Sequence, residues 1–138
     1  MAPAFSLPEV GGGTFTFEKG PALIVLTAVG CQGCRERVGK VDKAAFDWAR
    51  SQGIPVWNIF VYAGVEAGAA FKAEMNPSAD RFLADADGSV SVGAYKGSDE
   101  SCWILIGPAS DIIWQGGTDL EALQKAWGGL VSEVERVR

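Results

Sequence analysis

The stretch Ala22-Leu-Ile-Val-Leu-Thr-Ala28, which leads through Val29-Gly30 into Cys31-Gln-Gly-Cys34, decides the fold. The apolar run does not alternate and is rich in branched side chains, which is typical of a strand covered on both faces. A charged amphipathic stretch from Arg35 to Arg50 follows the cysteines. We therefore predict a buried strand, a tight turn and a helix, with both thiols at the helix N-terminus.

The composition is that of an ordinary globular protein, with 138 residues, 48% of them hydrophobic and 21% charged. This length predicts a single domain over residues 1–138, in which 1–13 form an irregular N-terminal arm. A net charge of -5 argues against a nucleic-acid partner. No apolar run approaches the roughly 18 residues of a membrane span.

The N-terminus shows no signal-peptide pattern, because it has neither a basic region nor an apolar core. The chain as it stands is therefore expected to be cytoplasmic. If a leader had been removed from it, the expected location would instead be the bacterial cell envelope.

The chain has three cysteines and no histidine. Without an imidazole it cannot build the Ser–His or Cys–His pair of a hydrolase. The CxxC supplies only half of a tetrahedral zinc site, and Cys102 is the one further thiol. We expect neither a cofactor nor a metal ion.

The rest of the chain predicts an α/β order. Expected strands are 14–17, 54–62, 81–84, 102–106 and 111–114, and expected helices are 65–75, 89–95 and 120–137, the last capped by Thr118. The predicted buried face of the first helix comprises Cys34, Val38, Val41, Ala45, Trp48 and Ala49, and Gly39 weakens or bends that helix. An early parallel βαβ unit and a late antiparallel hairpin predict a central mixed sheet flanked by helices, closed by a C-terminal helix.

This order, with CxxC at the first strand-to-helix junction, resembles a thioredoxin-like fold. Further similarities are Asp85-Ala-Asp-Gly88 followed by a short helix to Tyr95, and a late hairpin before Gly116-Gly117. Among thioredoxin-like proteins the chain most resembles the TlpA-like thiol–disulfide oxidoreductases. The resemblance implies a disulfide- or dithiol-bearing protein substrate and a redox recycling partner.

Three positions depart from the pattern of that family. Gly30 stands where the family usually places a tryptophan before the first cysteine, and Val25 stands where it carries a buried Asp or Asn. The family's cis-proline position falls on Ser101 or its neighbour, and Cys102 follows immediately. The resemblance therefore predicts a familiar redox pair in altered surroundings.

Thiol–disulfide exchange requires an attacking thiolate and a second thiol that resolves the mixed disulfide. We expect Cys31 to be the exposed nucleophile and Cys34, one turn into the helix, to be the resolving thiol. The intervening Gln32-Gly33 adds no charge, whereas Arg35 and Arg37 add positive potential. A helix N-terminus further stabilises a thiolate.

Cys102 has two interpretations. The favoured one is a small buried side chain in a core strand, with neighbouring Trp103 packed in the interior. The other places Cys102 beside the CxxC as a third thiol or metal ligand, with Trp103 facing the site. The alternative function is then a non-catalytic redox sensor or metal-binding module that uses Cys31, Cys34 and Cys102. The complete predicted neighbourhood of the pair is Gly30, Gln32, Gly33, Arg35, Ser101, Cys102 and Trp103.

Overall fold

A computed structural model describes residues 2–30, 32–75, 77–98 and 101–137 of the chain. Its strands are β1 (Phe5–Pro8), β2 (Thr14–Phe17), β3 (Ala22–Ala28), β4 (Val56–Val61), β5 (Arg81–Asp85), β6 (Trp103–Ile106) and β7 (Ile112–Gly116). Its α-helices are α1 (Gln32–Arg37), α2 (Lys43–Ser51), α3 (Val65–Met75) and α4 (Leu120–Val137). Two π-helical segments, Val38–Asp42 and Ser89–Ala94, complete the helical structure.

The central sheet has five strands in the order β5-β4-β3-β6-β7. Strands β3, β4 and β5 are parallel, whereas β6 runs antiparallel to β3 and β7 runs antiparallel to β6. This arrangement confirms the predicted mixed sheet with a late hairpin. Strand β3 lies in the middle, and all of its residues from Ala22 to Val25 are fully buried, as the unbroken apolar run predicts.

The N-terminal segment differs from the prediction of an irregular arm over 1–13. Residues Phe5–Pro8 form β1, which pairs antiparallel with β2 in a separate hairpin. Phe5 and Leu7 are buried while the residues between and after them are exposed, so the segment alternates as a half-buried strand does. The alternation spans only four residues and is flanked by prolines, which concealed it in the sequence.

Helix α1 begins at Gln32, inside the CxxC sequence, but the middle of the helical stretch that continues to Ser51 is not α-helical. The π-helical segment Val38–Asp42 contains Gly39 and two β-branched valines, all weak α-helix formers. A π turn takes up one extra residue, which rotates the side chains that follow. As a result Val41, predicted to be buried, is exposed, and Asp42 is fully buried in its place.

The remaining helices agree with the prediction except in detail. Helix α3 has the predicted bounds, and a helical segment follows the turn at Gly88. The N-terminus of α4 is capped by Asp119, not Thr118, because the Asp119 Oδ1 atom accepts a hydrogen bond from the Ala122 amide. No helix in the described part of the chain is both long and apolar enough to cross a membrane.

Candidate redox site

The CxxC sequence spans the junction between β3, which ends at Ala28, and α1, which begins at Gln32. Gly30, Gln32 and Gly33 are exposed around it. Cys31 lies outside the described residues, as do the side chains of Cys34 and Arg35. The described part of the site is therefore the structure that adjoins the CxxC sequence, and Arg37 is its central side chain.

Arg37 projects from the end of α1 and joins three elements through its guanidinium group. Its Nε atom donates a hydrogen bond to Asp42 Oδ2 at 2.9 Å. Its Nη2 atom donates to the Leu26 carbonyl oxygen at 2.7 Å, and its Nη1 atom donates to Cys102 Sγ at 3.2 Å. The planar guanidinium therefore ties α1 to the end of β3 and to the chain just before β6.

Asp42 is a fully buried carboxylate with a donor on each oxygen. Oδ2 pairs with Arg37, and Oδ1 accepts a hydrogen bond from Trp103 Nε1 at 2.9 Å. Burial raises the pKa of Asp42 above its ordinary value, while the Arg37 charge and the hydrogen bonds from Arg37 and Trp103 act in the opposite direction. The two donors supply the compensation that a buried charge requires.

Trp103 lies in the interior, in agreement with the favoured interpretation of its role. Its side chain is fully buried in the core, and its indole N–H is satisfied by Asp42. Trp103 therefore has two roles: its ring packs in the core, and its indole N–H helps to hold the carboxylate that pairs with Arg37.

Cys102 is only 2% exposed, as expected for a small side chain of the core. It also contacts Arg37, and its carbonyl oxygen accepts a hydrogen bond from the Leu26 amide at 2.8 Å. Preceding it, Ser101 is half-buried. The structure thus brings Cys102 to the level of the sheet where β3 approaches the CxxC turn.

A cavity of about 200 Å³ lies beside this network. Arg37 and Cys102 contribute polar groups to its wall, and Leu26, Ala28 and Val61 contribute apolar ones. Tyr62, which also lines the cavity, is 64% exposed and has a positive φ of 56°. Parallel strands end at the same edge of a sheet, so the aromatic ring after β4 lies at the edge from which the CxxC turn leaves β3.

Sequence reasoning assigned positive potential to Arg37 but missed its partner Asp42 and the exposed Tyr62. Arg37 and Asp42 are five residues apart, and in a continuous α-helix such residues point about 140° away from each other. The π-helical segment Val38–Asp42 changes this rotation and brings the two side chains within hydrogen-bond distance. A spacing of five around Gly39 was the available signal for the pair, and an aromatic residue ending an apolar strand was the signal for Tyr62.

The described side chains include no group of three Cys, His, Asp or Glu that could hold a metal ion. Asp85, which the sequence places in an Asp-x-Asp-Gly turn, is instead buried and accepts hydrogen bonds from the amide and hydroxyl groups of Ser91. These contacts stabilise the turn and the helical segment that follows it.

Comparison with known proteins identifies similar structures. No protein-family model and no curated protein matches the sequence. Solved structures do match. The structure of MTB dsbF has a TM-score of 0.72 and 19% identity, and the match covers 94% of this chain and 99% of that one.

Two further matches come from other bacteria. The thioredoxin domain of a thiol-disulfide oxidoreductase from Bacteroides vulgatus matches with a TM-score of 0.71 and 17% identity over 90% of this chain and 93% of that one. A thiol-disulfide oxidoreductase from Bacteroides fragilis matches with a TM-score of 0.69 and 19% identity, covering 96% and 98% of the two chains. At such low identity these matches establish a common architecture: the chain has a thioredoxin-like fold.

Proposed function

We propose that the protein is a thiol–disulfide oxidoreductase in which Cys31 is the nucleophile and Cys34 the resolving thiol. The observation that carries the proposal is the position of the CxxC sequence, which begins three residues after the central strand β3 and runs into the first turn of α1. Gly30 and Gln32, the residues on either side of Cys31 in the sequence, are exposed, which supports access of a substrate to this region. Solved structures of thiol–disulfide oxidoreductases share the fold and support the assignment.

The reaction follows from two thiols at a helix start. The Cys31 thiolate attacks one sulfur of a substrate disulfide, and the other substrate sulfur leaves as a thiolate that takes up a proton. Cys34 then attacks the mixed disulfide, releases the second substrate sulfur and leaves a Cys31–Cys34 disulfide. In this direction two electrons pass from the protein to the substrate, and a recycling partner restores the dithiol. The same steps in reverse oxidise a substrate dithiol.

Protein disulfides are the substrates that the surface near the turn favours. The exposed Tyr62 provides an aromatic surface at this edge of the sheet, where Gly30 offers no side chain. The adjacent cavity has a largely apolar wall that includes Val61 and Val92. An extended substrate segment with an apolar side chain next to its cysteine suits this surface. Within the thioredoxin-like proteins, the turn at Gly88 and the helical segment after it favour the TlpA-like branch.

An insulin-reduction assay with cysteine variants tests the proposal. The wild-type protein should accelerate reduction by dithiothreitol, Cys31→Ser should abolish the acceleration, and Cys34→Ser should accumulate a mixed disulfide with the substrate. Cys102→Ser is the matched control and should retain the activity. Absence of both turnover and a trapped mixed disulfide would refute the proposed function.

A second candidate, a thiol redox sensor that includes Cys102, is favoured by one observation. The Cys102 Sγ atom accepts a hydrogen bond from Arg37 and lines the cavity beside the turn. A guanidinium next to a thiol promotes its reactivity. In that case oxidation should consume Cys102 together with a CxxC thiol, and Cys102→Ser should change the oxidation products. A Cys102 thiol that stays reduced while the CxxC oxidises eliminates this candidate.

A further inference from the structure

We propose that Arg37 is a positioning residue for the dithiol: held by Asp42, it keeps the positive end of a buried ion pair at the base of the CxxC turn. This inference rests on the proposed function. It adds a residue that shifts the dithiol–disulfide equilibrium of the protein, because a fixed positive charge near the thiols favours the dithiol over the disulfide. The disulfide form of the protein then becomes a stronger oxidant of substrate thiols.

Arg37 lies close to the strand-to-helix junction, both along the chain and in its contacts. Arg37 is the last residue of α1 and follows Cys34 by three residues in the sequence, which is less than one helical turn. The guanidinium reaches from there to the Leu26 carbonyl oxygen on β3. Leu26 lies only two residues before the end of that strand, so the charge is located directly beneath the junction.

The direction of the ion pair follows from its contacts. The Nη atoms of Arg37 contact Leu26 and Cys102, while its Nε atom and Asp42 lie with Trp103. Trp103 pairs with Val25, one residue further from the junction than Leu26. The cationic Nη groups therefore face the CxxC side, and the carboxylate lies behind them.

Burial preserves the field of the pair. The side chains of Arg37 and Asp42 are 13% and 0% exposed, so mobile ions screen them weakly. A guanidinium stays protonated throughout the accessible pH range. The reduced protein contains a thiolate that this charge stabilises, whereas the disulfide is uncharged and gains nothing.

The experiment measures the equilibrium between the protein and a dithiothreitol redox buffer. The reaction converts the protein dithiol and oxidised dithiothreitol into the protein disulfide and reduced dithiothreitol, with two electrons transferred. Arg37→Gln should shift the equilibrium toward the protein disulfide by roughly three- to tenfold, since tenfold corresponds to about 30 mV. Asp42→Asn should shift it toward the dithiol, because the opposing charge is removed.

The double variant Arg37→Gln with Asp42→Asn should lie between Arg37→Gln and the wild type, because it removes the nearer positive charge together with the more distant opposing one. Arg50→Gln is the matched control. Arg50 lies at the far end of the same helical stretch and pairs with Asp80, so its removal should leave the dithiol–disulfide equilibrium unchanged. Arg37→Lys keeps the charge and should remain within about threefold of the wild type. It serves as the charged comparison if Arg37→Gln does not fold.

Opposite shifts for Arg37→Gln and Asp42→Asn are the signature of an electrostatic role. Shifts in the same direction, or no shift in either variant, would overturn this inference and leave the proposed function intact. A wild-type dithiol that never forms a disulfide with the buffer would overturn the proposed function itself.

Discussion

Two arginine–aspartate pairs start from the same helical stretch and differ in their surroundings. The Arg37–Asp42 pair has an N–O distance of 2.9 Å and side chains that are 13% and 0% exposed. The Arg50–Asp80 pair has a distance of 3.5 Å, and both side chains are 43% exposed. The first pair lies beneath the CxxC turn, and the second lies at the end of α2.

The difference teaches that burial, more than pairing, determines what an ion pair does. Water and salt screen the Arg50–Asp80 pair, so it contributes little to stability and projects little field. The Arg37–Asp42 pair keeps its field, but each member depends on the other, because a lone charge in the interior is costly. The buried pair is therefore a structural requirement of this region, and we propose that it also acts electrostatically on Cys31 and Cys34.

The largest expected effect comes from breaking the buried pair. Arg37→Ala should lower the free energy of unfolding by about 3–5 kcal/mol, because it leaves Asp42 buried without its cation. The matched variant Arg50→Ala should lower it by at most about 1 kcal/mol. Urea unfolding of both variants measures the comparison, and equal losses would contradict it.

Removal of the second donor to Asp42 should have a smaller effect. Trp103→Phe keeps a buried aromatic ring but leaves Asp42 Oδ1 without its hydrogen bond, which should cost about 1–3 kcal/mol. Trp48→Phe, at a half-buried indole on α2, is the control and should cost less. The network is wrongly described if Trp48→Phe proves the more destabilising of the two.

The stability of the protein should also depend on pH through Asp42. Asp42 has its pKa raised above 3.8 by burial, so in the window from that value up to its raised pKa the folded state holds the proton more tightly than the unfolded state. The Asp42 contribution to stability therefore falls as the pH rises through this window, by about 1.4 kcal/mol for each unit of the shift. Urea unfolding of the wild type and Asp42→Asn at several pH values isolates this contribution as a difference. If the free energy of unfolding of the wild type minus that of Asp42→Asn rose with pH, the pKa of Asp42 would be lowered in the folded state.

The smallest expected effect is the response to salt. Raising sodium chloride to about 1 M reduces the Debye length to about 3 Å, which should erase the small loss caused by Arg50→Ala. The loss caused by Arg37→Ala should remain nearly unchanged. If salt erased both losses, the Arg37–Asp42 pair would behave as a surface pair.

The sequence was sufficient for the fold because its strongest patterns are local. The unbroken apolar run of β3 and the regular segments after it predict a mixed sheet, which the structure confirms. The four-residue strand β1 escaped prediction because its stability comes from pairing with β2 and from burial of Phe5 and Leu7. Such tertiary contacts are invisible in a short flanking segment.

The site was predictable only where spacing follows a standard helix. The CxxC and the proximity of Arg37 to it were recognisable from the sequence, and so was the burial of Cys102. Asp42 was not, because only a π-helical segment brings residues five apart onto one side of the helix. Trp103 was recognised as a core residue, but its hydrogen bond depends on the same irregular turn.

Peptide mapping of the oxidised protein tests the central claim, that Cys31 and Cys34 form a reversible redox pair, most directly. After oxidation, alkylation and trypsin digestion, the peptide from Gly20 to Arg35, which contains both cysteines, should carry no alkyl group and have a mass two hydrogens below that of the unmodified dithiol peptide. Dithiothreitol should reverse this change, and Cys102 should be alkylated only after denaturation. A peptide whose two thiols remain reduced at every redox-buffer ratio, or one linked to Cys102, would contradict the account.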